Sequence, residues 1–69
     1  MIGKSIKGRR KVLRVTQPEL AKLADISVNT LYKIESGQAN PTLETLTKIA
    51  DVLGMEVILQ VKNLQKLNA

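Results

Sequence analysis

Six carboxylates, Glu19, Asp25, Glu35, Glu44, Asp51 and Glu56, are the only acidic side chains in the sequence. They stand singly, with no close pair to divide the roles of general acid and general base. Histidine and cysteine are both absent. The commonest general base, the commonest zinc ligand, thiolate chemistry and disulfides are therefore missing too. Neither enzymatic chemistry nor a cofactor or metal is expected. The chemistry the charged residues do offer is the holding of an anion, by the basic ones. Eleven Lys and Arg give a net charge of +5, and residues 1–14 carry Lys4, Lys7, Arg9, Arg10, Lys11 and Arg14 with no acid among them. A basic end on a small chain points to a polyanion, DNA or RNA; a solvated, solubilising face accounts for the charge equally well. The single aromatic residue, Tyr32, narrows the choice. Sheet-type readers of RNA and single strands stack bases on several aromatic rings, so duplex DNA read by a helix is the partner left open.

Sixty-nine residues suffice for one domain, 1–69, with marginal stability. No apolar run approaches the roughly 20 residues that cross a bilayer. The basic N-terminus lacks the apolar stretch of a signal peptide. The expectation is a cytoplasmic protein with no membrane partner.

The elements that must position the polar residues are helices. Ile2, Ile6, Arg10 and Leu13 recur at steps of four, four and three, so a first helix over residues 2–14 places them on one face. Arg10 is the charged member of that face and needs a partner. Gly3 and Gly8 weaken this helix and move its expected start later than residue 2. Thr16-Gln17-Pro18-Glu19 is a strong second start, with a capping hydroxyl, a Glu three residues on and Pro in the first turn. Leu20, Leu23 and Ala24 are the expected buried stripe of this helix, and Asp25-Ile26-Ser27 breaks it. Ser27 caps a third helix, which turns Leu31 and Ile34 inward and Val28, Asn29, Tyr32 and Lys33 outward. Two short helices joined by a three-residue turn form a helix-turn-helix layout. Gly37 fits the left-handed position past the end of the third helix.

Residues 38–42 read as a loop, with Pro41 setting a fourth helix after it. Leu43, Leu46, Ile49, Ala50 and Leu53 form its stripe, and Gly54 ends it. The period then changes to two. Met55, Val57, Leu59 and Val61 alternate with Glu56, Ile58, Gln60 and Lys62, which reads as one strand. A lone strand must pair, and the same strand of a second copy is the simplest partner. The alternative is a fifth helix from Met55 to Leu67. The expected fold is thus mainly α. It has four to five helices over a core at 4–54, a dimerisation strand at 55–62 and a tail at 63–69.

One arrangement of residues goes further than pattern. Arg10 is followed by Thr16-Gln17-x-Glu19-Leu20-Ala21, then Ile26-Ser27, then Thr30-Leu31-Tyr32-Lys33-Ile34-Glu35-x-Gly37. Asn40-Pro41-Thr42-Leu43-x-x-Leu46-x-x-Ile49-Ala50-x-x-Leu53-Gly54 completes it. From Ile6 to Met55 the chain resembles the Cro and phage-repressor type of helix-turn-helix domain, the XRE family. The ending Leu53-Gly54-Met55-Glu56-Val57-Ile58-Leu59 further resembles the group of HipB, an antitoxin and autorepressor whose relatives pair a C-terminal strand across the dimer. The resemblance implies that Arg10 pairs with Glu35. It implies a phage-repressor-like domain acting as a dimeric repressor, with a toxin or other regulatory protein as an alternative partner compatible with DNA binding.

Groove geometry assigns roles. In such a motif the second helix enters the major groove and its first residues meet base edges. Here those are Ser27, Val28, Asn29 and Thr30, with Lys33 one turn on. Asn29 can bind adenine bidentately, Lys33 can donate to guanine, and Val28 can pack on a thymine methyl. The family often has a glutamine-like group at the Val28 position, so fewer hydrogen bonds are available there. Thr16, Gln17, Tyr32, Gln38, Asn40 and Thr42 are the candidate phosphate contacts, which position the protein without reading sequence. Lys4, Lys7, Arg9 and Lys11 add long-range attraction, a solvated face being the plainer reading of each. A helical bundle that kept the fold and lost DNA binding is the third possibility. Asn29, Thr30 and Lys33 on the outward face argue against it.

Overall fold

The structure, a computed structural model, describes residues 1–62; the expected tail at 63–69 lies outside the described residues. Four helices follow in order: α1 (Ile2–Val12), α2 (Gln17–Leu23), α3 (Val28–Glu35) and α4 (Leu43–Val52). None is long and apolar enough to cross a membrane.

Side chains start three of the helices. At α2 the Thr16 hydroxyl accepts from the Glu19 N–H at 3.2 Å, and the Glu19 carboxylate accepts from the Thr16 N–H at 2.9 Å. This reciprocal box satisfies two N–H groups at the helix start. Ser27 Oγ accepts from the Thr30 N–H at 3.0 Å, and Thr42 Oγ1 from the Thr45 N–H at 3.1 Å. Thr42 is thus the cap of α4 rather than a plain loop residue.

All four helices end the same way. Each passes into a left-handed residue, Arg14 (φ 57°), Asp25 (φ 57°), Gly37 (φ 81°) and Gly54 (φ 68°). The following N–H then reaches back to an open carbonyl: Val15 to Arg10, Ile26 to Ala21, Gln38 to Lys33 and Met55 to Ala50. This is the Schellman closure, for which glycine is the usual residue. Two of the four turns use it. The other two bear the cost of a side chain in the left-handed region.

The core joins Ile6 of α1, Leu20, Ala21 and Ala24 of the α2 end, Leu31 and Ile34 of α3, and Ile49 and Leu53 of the α4 end. α3 packs on both α1 and α2, and α4 on α2. Some expected stripe positions differ. Leu23 is 67% exposed, and Ala21 takes its place inside. Helical steps of about 100° put Leu20, Ala21 and Ala24 on one side and Leu23 beyond its edge. Leu43 is exposed at the first turn of α4, and Ile2 and Leu13 are exposed at the two ends of α1, where no neighbouring helix covers them.

α1 starts at Ile2, earlier than its glycines suggest. Gly3 is buried, and a methyl group there would collide with the backbone oxygens of Ile34 and Glu35. Its missing side chain lets α1 touch the end of α3. At Gly8 an added methyl meets nothing within 4 Å. Gly3→Ala is therefore expected to lower the unfolding free energy by about 1–3 kcal/mol through overpacking. Gly8→Ala is expected to raise it by up to about 1 kcal/mol through helix propensity. Thermal melts of the two variants test this, and shifts of the same sign would remove the close-approach account.

Over 55–62 no helix forms, so the fifth-helix alternative is not met among the described residues, and the rest of its span, to Leu67, lies outside them. No strand forms among the described residues either. The strand expected at 55–62 lacks a ladder because a single extended segment finds no second one to pair with among the described residues.

Candidate nucleic-acid interface

α2, the turn at 24–27 and α3 place the predicted polar residues on one outer surface. α3 is held from behind by Leu31, Ile34 and Glu35, all buried. Val28, Asn29, Tyr32 and Lys33 face outward, all exposed. Ser27 and Thr30 are exposed as well, but their hydroxyls are joined: Ser27 Oγ donates to Thr30 Oγ1 at 2.8 Å and caps the Thr30 N–H. Ser27 therefore spends its acceptor and donor on the helix start, whereas the Thr30 hydroxyl proton is left to point outward.

The helix is fixed in angle by a buried network. Arg10 Nε donates to Glu35 Oε2 at 2.8 Å, and Arg10 Nη2 to Glu35 Oε1 at 2.9 Å. The fork is the bidentate geometry that arginine favours. Arg10 Nη1 donates to the Val15 carbonyl at 3.0 Å, so one guanidinium ties the end of α1 to α3. Side-chain exposure is 11% for Arg10 and 3% for Glu35. Burial pushes the Glu35 carboxyl up. The hydrogen bonds from Arg10 and Gln17, with the charges of Arg10 and Lys7, outweigh it and hold the group below its ordinary range. The same Glu35 bonds raise the Arg10 guanidinium further.

The expected phosphate contacts divide. Thr16 is exposed and caps α2. Gln17 was expected to point at phosphate, yet its side-chain amide donates to Glu35 Oε1 at 3.0 Å. Half its role is internal, because its amide completes the shell of a buried carboxylate. Tyr32 stands half-exposed beside it. Gln38 donates to Ser36 Oγ at 3.0 Å, Asn40 is exposed, and Thr42 caps α4. These three lie past the end of α3.

Arg9 has a role that sequence reasoning missed. Its Nε donates to the Leu53 carbonyl at 3.0 Å, closing one of the open carbonyls at the C-terminal end of α4, where a cation is favoured. Nothing local marks Arg9 out from its basic neighbours; the signal lies 44 residues away. The expected pairing segment is exposed throughout. Met55, Val57 and Ile58 line a groove of about 530 Å³ with Ile2, Leu46 and Ala50. Val61 is exposed and Leu59 fully so.

A family model described as helix-turn-helix matches residues 6–60. The immunity repressor protein of Bacillus phage phi105 is 41% identical over 56 residues, covering 81% of this chain and 39% of that protein. The cryptic phage CTXphi transcriptional repressor RstR from Vibrio cholerae is 38% identical over 56 residues, covering 81% of this chain and 50% of that one. The chain thus spans half or less of the length of these two relatives. Among solved structures, the clp gene regulator ClgR from Corynebacterium glutamicum superposes with a TM-score of 0.77 at 27% identity. That match covers 80% of this chain and 58% of the other.

Proposed function

The chain belongs to the helix-turn-helix family, in its Cro and phage-repressor branch of DNA-binding transcription regulators, and on that premise we propose that it is a dimeric repressor reading an inverted repeat in duplex DNA. The observation that carries this is the build of α3. Its inner side is locked by Leu31, Ile34 and the Arg10–Glu35 fork, and its outer side offers Val28, Asn29, Thr30 and Lys33 to solvent. A rigid helix with hydrogen-bonding groups on its free face suits the major groove.

Asn29 and Lys33 are the proposed base readers, Val28 packs on a thymine methyl, and the Thr30 hydroxyl donates. Ser27 reads through its backbone more than its capped side chain. Thr16, Gln17, Tyr32, Gln38, Asn40 and Thr42 anchor the phosphates. Dimerisation is proposed through a strand at 55–62, by Met55, Val57, Leu59 and Val61. The support is the exposure of these four apolar residues, together with a backbone that has no ladder partner among the described residues. A two-fold pair would set the recognition helices about 34 Å apart. The same row is the feature that favours a protein partner of another kind, the antitoxin reading, which can coexist with DNA binding.

Selection of sites from a random duplex pool at near-physiological salt tests the proposal. The expected result is an inverted repeat with half-sites about one turn apart. Enrichment of a lone half-site would remove the dimer. Recovery of unselected DNA, with binding that vanishes as salt rises, would leave a basic bundle and remove the sequence-reading role.

A further inference from the structure

The six cations of residues 1–14 are not equivalent once folded. Arg10 is spent on Glu35 and Val15, and Arg9 on the α4 end. Lys7 has a third setting. A small cleft of about 50 Å³ opens where α1, α2 and α3 meet, lined by Lys7, Gln17, Tyr32, Glu35 and Ser36. Lys7 follows Gly3 by one helical turn and precedes Arg10 by three residues, so it sits on the rim of the α1 face that Gly3 presses against α3. Lys7, Tyr32 and Ser36 are exposed, so the cleft faces solvent.

We propose that Lys7 is a backbone-phosphate contact on duplex DNA, its ammonium completing a cradle with the Tyr32 hydroxyl and the second N–H of the Gln17 amide, while the Ser36 hydroxyl, which donates to the Lys33 carbonyl, only lines the wall. The inference rests on the regulator reading above and extends it to a residue in α1, outside the helix-turn-helix pair. Three features carry it. The cleft lies between Gln17 and Tyr32, both already on the expected phosphate line. Among the described residues Lys7 is the cation that lines it. The carboxylate at its back is no obstacle, because Glu35 is engaged by the two Arg10 bonds and the Gln17 amide. Lys7, Arg10 and Glu35 together leave one net positive charge, where a phosphate carries one negative charge. Lysine suits a mobile phosphate oxygen because its three donors rotate freely as a point charge.

A structural role for Lys7 gives a different signature. If it only lends charge to Glu35, its loss shifts acid unfolding and leaves DNA binding alone. The test is the salt dependence of duplex binding for the unsubstituted protein, Lys7→Gln and Lys7→Arg, on a selected site and on an unrelated duplex. Lys7 is exposed, and a circular dichroism melt of each variant checks that it is folded. For Lys7→Gln the slope of log K against log salt is expected to shrink by about 0.9 for each protomer bound. The loss should be equal on both duplexes, the preferred sequence should not change, and Lys7→Arg should restore the slope. An unchanged slope in Lys7→Gln overturns the contact while leaving the regulator reading intact. No duplex binding by the unsubstituted protein overturns both.

Discussion

Arg10→Met is expected to lower the unfolding free energy by about 3–5 kcal/mol, and Glu35→Leu by a similar amount. Each single change strands the partner's charge among buried groups, and that stranded charge is the source of the loss. At about 0.05–0.15 kcal/mol per residue, a chain of 69 residues has a total stability of only some 3–10 kcal/mol. Either variant should therefore be near or past the point of unfolding at 37 °C. The double variant Arg10→Met/Glu35→Leu should recover much of the loss, since apolar replacement of a buried pair is often close to neutral. Recovery will be incomplete, because the Val15 carbonyl and the Gln17 amide each lose a partner. Urea unfolding of the four proteins measures the coupling. Additive losses would show that the fork does not act as a unit.

The same carboxylate gives the sign of the acid response. The folded Glu35 sits below its ordinary value of 4.5. Its contribution is thus fully present above the unfolded value and is lost as pH falls through the lower folded value. Glu19, held down by its bonds to Thr16, acts in the same direction from an exposed site. Glu35→Gln should flatten the acid limb of stability without abolishing it. An unchanged limb would mean that Glu35 is not ionised in the folded protein.

The parts of this fold that were legible in the sequence are those in which a side chain acts on its own backbone. Thr16, Ser27, Gly37 and Gly54 set helix ends within a few residues of themselves, so spacing alone exposes them. The inward positions of α3 were legible for a related reason: Leu31 and Ile34 flank outward polar residues at helical spacing. What failed needed a neighbour. Leu23 and Leu43 obey the apolar period yet lie exposed, because the period says nothing about where the next helix sits. Gly3 looked like a weak spot and is a point of contact, visible only when the α3 carbonyls are in place. Arg14 takes a left-handed turn that no residue preference announces, and Asp25 one that its type favours only weakly. Gln17 had one expected role and has an internal bond as well. Residues 55–61 are the limiting case, since their expected partner is another molecule.

Asn29→Ala carries the largest expected effect on DNA binding. The residue lies in the first turn of α3, exposed, with its hydrogen-bonding edge away from the core. Its removal should leave folding within about 0.5 kcal/mol of the parent. A bidentate contact to adenine contributes about 1–3 kcal/mol of discrimination. A two-fold dimer makes the contact once in each half-site, so one substitution removes it twice, about 2–6 kcal/mol. At tenfold per 1.4 kcal/mol this is roughly a 30-fold to 20,000-fold loss on the selected repeat. Binding to unrelated duplex should barely change, because phosphate contacts dominate it. Lys33→Met should behave differently. It loses a guanine donor and a positive charge together, so it should relax one base position and also reduce the salt slope. Gln38→Ala, placed past the end of α3, should weaken all duplexes alike. Titrating the three variants against selected and unrelated duplex separates these roles. If Asn29→Ala weakened both duplexes equally, α3 would be positioned against the backbone rather than in the groove. The rigid mounting by Arg10 and Glu35 would then serve orientation alone.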